Sequence, residues 1–180
     1  MVRPVVAPGP LRKACGFYYQ EFGNIENIKL KDNPFAVADK DNTVSEWAEM
    51  IIPETAQAMA YYDHPFYGKY PAITSNKFEA GTLVYEVCRP SDALQEKILL
   101  SAMERAGIKT SDQNIHWPLI TKQGTNDFGK KVHFYYNYSS TTNSITYDYP
   151  AGRELTSDRK VTKGDKLHIE PWGVQIVEEN

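Results

Sequence analysis

From Lys131 onward, apolar and polar residues change places at every step. Val132, Phe134, Tyr136 and Tyr138 alternate with Lys131, His133, Tyr135 and Asn137. A helix gathers residues three and four apart on one face, so a period of two demands extended chain. The pattern resumes after a candidate turn at Ser139–Thr142, where Ile145, Tyr147 and Tyr149 alternate with Ser144, Thr146 and Asp148. Lys163-Gly164-Asp165 supplies a second turn before Leu167 and Ile169, and Pro171–Gly173 a break before Val174 and Ile176. Short strands joined by short turns predict an antiparallel meander with one buried face. Val132 and Ile145 set the phase of that face. They assign Phe134, Tyr136, Tyr138 and Tyr147 to the core, and His133, Tyr135 and His168 to solvent.

The earlier residues read differently. Prolines at 4, 8 and 10 precede any periodic pattern. Cys15–Phe22 reads as a strand, 24–30 as another, and the Asp- and Asn-rich 31–44 as a loop. Trp47–Ile52, Ala58–Tyr62, Ala72–Asn76 and Thr82–Val87 are predicted strands, with a turn or loop across Asp63–Pro71 and a tight turn at Lys77–Gly81. One helix is predicted. Ser91 is a good N-cap, Asp92 favours the positive end of the helix dipole, and Gly107 suits the residue past the last turn. Leu94, Ile98, Leu99, Ala102, Met103 and Ala106 form its apolar stripe. A strand running directly into an amphipathic helix is an α/β signature. The chain therefore divides into a mixed part, 1–110, and an all-β part, 113–180, giving an α+β fold class.

Composition narrows the function. The net charge is −3 with scattered cations, which argues against a nucleic-acid surface, since that needs a basic stripe to displace counterions. No stretch reaches the length of a membrane span, and the first ten residues hold no secretory apolar core. Cys15 and Cys88 form no CxxC pattern and are expected as two buried thiols.

Chemistry-bearing residues are sparse. Glycoside cleavage needs two carboxylates flanking the scissile bond. Glu46, Glu49, Glu86 and Glu170 qualify by type, but a spacing of three puts Glu46 and Glu49 on opposite faces of a strand, and solvated surface acids are the ordinary expectation. His64, His116, His133 and His168 are isolated, so no metal site is expected. No nucleophile elbow, phosphate loop or dinucleotide fingerprint occurs, and no cofactor is expected. Asn137-Tyr138-Ser139 fits a glycosylation sequon, a pattern common by chance. The 12 tyrosines suit strands, interfaces and sugar-binding faces alike. Tyr135, Tyr149 and Trp172 are the candidates for a sugar-stacking platform, with Tyr135 the better surface candidate because it is out of phase with the core row.

Three successive stretches carry a family resemblance. The first is Gly9-Pro10-Leu11-Arg12-Lys13 with Cys15-Gly16-Phe17 and Glu21-Phe22. The second is Trp47-Ala48-Glu49, Ala60-Tyr61-Tyr62, Pro71–Asn76, Phe78 and Gly81–Tyr85. The third is Val132–Ser139, Gly152–Leu155 and Leu167–Val174. In this order they resemble the end of the trimerisation domain and the C-terminal β domain of glycoside hydrolase family 42, the bacterial beta-galactosidases; 24–45 and 111–130 match least. The resemblance implies part of an amidotransferase-like (flavodoxin-like) α/β layer followed by a small antiparallel β-sandwich. It implies a soluble parent, cytoplasmic, periplasmic or secreted, whose catalytic glutamates sit on a (β/α)8 barrel outside this sequence, so no catalytic residue carries over. The implied partners are copies of the parent, as a trimer, and a beta-galactoside substrate for the parent alone; a carbohydrate-binding module using exposed aromatics is the alternative. A truncated α/β layer exposes sheet edges, which predicts self-association or an altered strand order.

Overall fold

The computed structural model describes residues 5–180, so Pro4 and the rest of the first four residues lie outside it. The described residues up to Ile108 form one compact unit and Lys109–Asn180 form a second.

The first unit begins with a one-turn helix, α1 (Arg12–Cys15), followed by β1 (Phe17–Tyr18), β2 (Phe22–Lys29), β3 (Thr43–Glu49), β4 (Ile52–Pro53), β5 (Gln57–Tyr61), β6 (Pro71–Phe78), β7 (Gly81–Glu86) and β8 (Arg89–Pro90). Its helix α2 spans Asp92–Arg105. The predicted strand from Cys15 to Phe22 is broken at its start, because Cys15 closes α1 and Gly16 follows in the left-handed region at φ +71°. The Gly16 carbonyl accepts the N–H groups of Glu54, Thr55 and Ala56 at 2.8–3.0 Å. A Cβ at Gly16 would meet the side chains of Asn76 and Thr55 at 2.6 Å, so both conformation and space require glycine there. The predicted loop 31–44 ends early, as β3 starts at Thr43.

The α/β expectation is corrected in its geometry. β2-β3-β8 and β5-β6-β7 are three-stranded sheets, β1 pairs with β4, and every strand pairing among the described residues is antiparallel. A flavodoxin-like layer is built from parallel strands, and these residues form none; hairpin-like neighbours need no crossover helix. What remains is a sheet-rich α+β unit. The caps of α2 are as predicted: the Ser91 hydroxyl accepts from the Leu94 N–H at 3.2 Å. At the other end, the N–H of Ile108 bonds to Met103 O and that of Gly107 to Glu104 O, the paired bonds of a Schellman stop. Leu94 and Ile98 are buried, but Leu99 is 55% exposed, so the core takes only one edge of the predicted stripe. Ile25, Leu30, Val44, Tyr62 and Ile73 complete this core with Leu94 and Ile98.

The second unit holds β9 (Leu119–Thr125), β10 (Lys131–Asn137), β11 (Asn143–Thr146), β12 (Gly152–Glu154), β13 (Lys160–Val161), β14 (Lys166–Ile169) and β15 (Val174–Glu179). Five strands form one sheet in the order β13-β12-β15-β10-β9, while β11 and β14 form a separate ribbon. The predicted turns at Ser139–Thr142, Lys163–Asp165 and Pro171–Gly173 all fall between strands. Tyr135, Ile145, Tyr147, Val161, Leu167, Ile169 and Val177 make the core, so the ribbon covers one face of the sheet.

Candidate functional site

Val132 is buried as its phase predicts, but beyond it the predicted phase of β10 is inverted. His133, Tyr135 and Asn137 are buried, at 0, 2 and 2% exposure. Phe134 and Tyr136 are half-buried and Tyr138 is 44% exposed. Alternation fixes which residues share a face but not which face is covered, and here the ribbon covers the more polar one. The buried phenols are held neutral: burial pushes Tyr135 well above the ordinary tyrosine range and Tyr147 up to about 12. His133 stacks on Tyr149 at a centroid distance of 4.0 Å, and its Nε2 meets a Glu179 carboxylate oxygen at 2.8 Å. Tyr135 and Tyr149 thus belong to the interior aromatic cluster, and the expected platform of Tyr135, Tyr149 and Trp172 does not form.

The opposite face carries an aromatic row instead. The rings of Phe134 and Tyr136 stack at 6.4 Å with 6° between planes, and Tyr136 and Tyr138 follow at 6.3 Å. Trp117, 72% exposed, lies nearly parallel to Tyr138 at 5.8 Å. On the neighbouring strands Ile120 and Val174 lie opposite Tyr136, and Ile176 opposite Phe134, so the row continues as an apolar strip across the sheet. Trp172 stands at the end of this strip, 70% exposed. Between it and the tyrosines is an open cleft of about 180 Å³, lined by Tyr136, Asn137, Tyr138, Trp172, Gly173 and Val174.

Asn137 fixes the walls of this cleft. Its buried amide donates to the carbonyls of Thr141, Ile169 and Glu170 at 2.7–3.1 Å. Its Oδ1 accepts from the Ser139 N–H at 3.1 Å, which is an Asx turn, and from the Ser139 hydroxyl at 2.8 Å. One side chain therefore ties the turn after β10 to the turn before β15. The sequon had drawn attention to Asn137 for another reason. The legible signal was an Asn at a strand end directly before a run of Ser and Thr.

The other sequence candidates are dispersed, most with partners of their own. Glu46 is exposed and pairs with Arg89. Glu49 accepts from the Tyr85 hydroxyl at 2.8 Å, Glu86 from Gln95 at 2.8 Å, and Glu170 from Thr142 at 3.2 Å. His64 Nδ1 accepts the N–H groups of Phe66 and Tyr67, His116 is exposed, and the exposed His168 meets the Ser144 hydroxyl at 2.8 Å. Only His133 departs from the expected exposure. Among the described residues no three His, Cys, Asp or Glu side chains cluster as metal ligands, and no helix is long and apolar enough to cross a membrane. Both cysteines are buried free thiols. Burial raises both, Cys88 to about 12.

The first unit offers a second surface. Phe22 is 68% and Trp47 40% exposed. Trp47 is paired with Asn24, two residues from Phe22, so both side chains project from the same face of β2–β3. Exposed apolar patches of this kind mark interaction sites.

Comparison with known proteins gives one family and a consistent set of relatives. The family model described as the beta-galactosidase trimerisation domain matches residues 3–109. The chain is 26% identical over 179 residues to beta-galactosidase Pbg of Clostridium perfringens, covering 94% of this chain and 25% of that protein. It is 25% identical over 175 residues to beta-galactosidase LacA of Lactobacillus acidophilus, covering 94% and 24%. Among solved structures, beta-galactosidase from Bacillus circulans sp. alkalophilus matches with a TM-score of 0.78 at 19% identity, over 100% of this chain and 27% of that one. The enzyme from Rahnella sp. R3 matches at 0.74 and 19%, over 97% and 25%. The chain therefore spans about a quarter of the length of the relatives it matches, and the structural likeness extends through both units.

Proposed function

Because the chain belongs to the beta-galactosidase trimerisation-domain family, we propose that it is the non-catalytic C-terminal region of a beta-galactosidase. It serves subunit assembly and supports a catalytic (β/α)8 barrel that lies outside these residues. The carrying observation is coverage: relatives named beta-galactosidases align with nearly all of this chain but with only a quarter of themselves. Residues 1–110 are the end of the trimerisation domain, a sheet-rich α+β unit with antiparallel pairing. Residues 113–180 are the small C-terminal β-sandwich. The parent is a soluble, retaining glycoside hydrolase that acts on beta-galactosides as a trimer.

The exposed Phe22 and Trp47 support an assembly role. Aromatic side chains anchor protein interfaces, and β2–β3 displays two of them on one face. The dispersed, individually partnered glutamates support placing the chemistry elsewhere, because hydrolysis needs two carboxylates facing one bond.

The test is light scattering on the purified 180-residue chain, beside an assay with a chromogenic galactoside. The expected outcome is concentration-dependent self-association, weakened by Phe22→Ser with Trp47→Ser, and no turnover. A clean monomer at high concentration would count against the assembly role. Turnover abolished by Glu46→Gln or Glu49→Gln would show that the chain is itself a small enzyme.

A further inference from the structure

We propose that the cleft between Trp172 and Tyr138 is a pyranose-binding subsite, and that it takes a galactosyl unit of an oligosaccharide. The galacto configuration rests on the parent being a beta-galactosidase; the pyranose assignment rests on the cleft itself.

The backbone at Trp172 is unusual. Glu170 to Gly173 forms a turn closed by the Gly173 N–H on the Glu170 carbonyl at 2.9 Å, with Pro171 first of the two central residues and Trp172 second. Trp172 has φ +57°. This turn position suits glycine or asparagine, and a bulky aromatic there is strained. Strain of this kind persists where the surroundings enforce it and gathers at binding sites. Trp172 gains little packing in return, since it is 70% exposed. A residue that is costly in conformation and poor in burial is placed for what it presents to solvent, here the face of an indole.

The opposing wall is held in place. Tyr138 is backed by Trp117 at 5.8 Å and flanked by Tyr136 at 6.3 Å, so its ring is braced. The backbone also holds the walls together. Asn137 N–H bonds to Gly173 O at 3.0 Å, Trp172 N–H to Ser139 O at 3.1 Å, and Tyr138 N–H to Pro118 O at 2.9 Å. With the buried Asn137 amide tying both turns, the site is rigid before any ligand arrives, which lowers the entropic cost of binding.

The walls of the cleft also select a chemical class. Tyr and Trp combine an apolar ring face with a polar rim. A galactopyranose has the complementary form: its axial 4-hydroxyl leaves H3, H4 and H5 as one apolar patch, ringed by hydroxyls. The volume of about 180 Å³ is on the scale of one sugar ring.

The test is calorimetry and tryptophan fluorescence on the 180-residue chain, titrated with galactose, lactose and a beta-linked galactan oligosaccharide, against maltose as the gluco control. Saturable, millimolar binding of the galacto sugars is expected. Trp172→Asn should weaken it about tenfold, equivalent to about 1.4 kcal/mol of lost ring contact, with a melting temperature equal to or above the parent's because asparagine tolerates this backbone. Tyr138→Ala tests the opposite wall independently, should the first variant fail to fold. No binding of any sugar, or binding indifferent to both variants, overturns the subsite. Maltose bound as well as galactose overturns the galactosyl assignment. Loss of self-association in Trp172→Asn with no sugar binding by the parent chain overturns the proposal in favour of a subunit contact. Hydrolysis and oligomer mass, which test the assembly role, are separate readouts, so the two ideas can fail separately.

Discussion

The two faces of β10 are built from the same strand and differ in the opposite sense from their chemistry. The covered face carries His133, Tyr135 and Asn137; the open face carries Phe134, Tyr136 and Tyr138. Partners make the interior tolerable at Asn137, which bonds to three carbonyls, and at His133 Nε2, which meets Glu179, whereas His133 Nδ1 is buried without a hydrogen-bond partner. In the same row across the sheet, Glu154 lies opposite Val177, and Val177 opposite His133. Burial of a polar group is costly only when it is left unpaired. The open face has no such constraint and keeps its rings at the surface. A protein can therefore use the polar row for a specific interior and reserve the apolar row for a ligand or a partner.

The largest effect should come from exchanging the faces' assumed roles. Tyr135→Ala removes a buried ring from the core and should cost about 3–5 kcal/mol by denaturant melts. A loss below about 1 kcal/mol would mean that this face is not the core.

Glu154 sharpens the polar half of the contrast. It is 1% exposed. Burial by itself raises its pKa, but hydrogen bonds from Ser157 and Thr156, including Ser157 N–H at 2.7 Å and Thr156 Oγ1 at 2.7 Å, outweigh burial and bring it to about 2. The folded value lies below the ordinary 4.5, so the stabilisation is full above pH 4.5 and is lost as pH falls through about 2. The contribution is about 3 kcal/mol at neutral pH. Glu154→Gln should flatten the acid limb of stability against pH over that window. An unchanged limb would show that the carboxylate is not what these donors hold.

How much of this was legible follows from which force sets each feature. The helix was readable because its signals are local: Ser91 bonds to Leu94 and Gly107 stops it within two residues of Arg105. The β meander was readable because alternation is local as well, and Tyr147, Ile145 and Leu167 are buried as their phase required. The phase of β10 was not, since cover comes from the ribbon that β11 forms with the later strand β14, and alternation within β10 does not say which face that ribbon takes. The start of the chain misled because Gly16 is a helix stop and a contact point for residues about 40 and 60 positions away, and nothing beside it in sequence says so. Trp172 was singled out from its residue type alone. Its partner across the cleft, Tyr138, was assigned to the core by the same inverted phase.

Asn137→Ala separates structure from presentation. It removes one donor from each of the Thr141, Ile169 and Glu170 carbonyls, of which Thr141 and Glu170 keep others, and frees both turns, so a loss of about 2 kcal/mol is expected. Sugar binding should weaken with it. Asn137→Asp keeps the acceptor for Ser139 but loses the donor, and should retain at most part of the stability.

The smallest effect should be at Tyr138. Replacing it with Ser removes the ring that stacks on Trp117, a contact of about 0.5–1 kcal/mol. It also removes exposed apolar surface, so the two effects partly cancel and the net change in stability should stay within about 0.5 kcal/mol. The same substitution should reduce affinity for the galactan oligosaccharide, since it deletes one wall of the cleft. The pair of readouts makes the comparison sharp. An inner-face change that unfolds the unit beside an outer-face change that spares the fold but loses the ligand is the pattern of a core row and a binding row. If Tyr138→Ser instead destabilises as much as Tyr135→Ala, both faces of β10 are structural, and the aromatic row is packing that this region keeps under cover in a larger assembly.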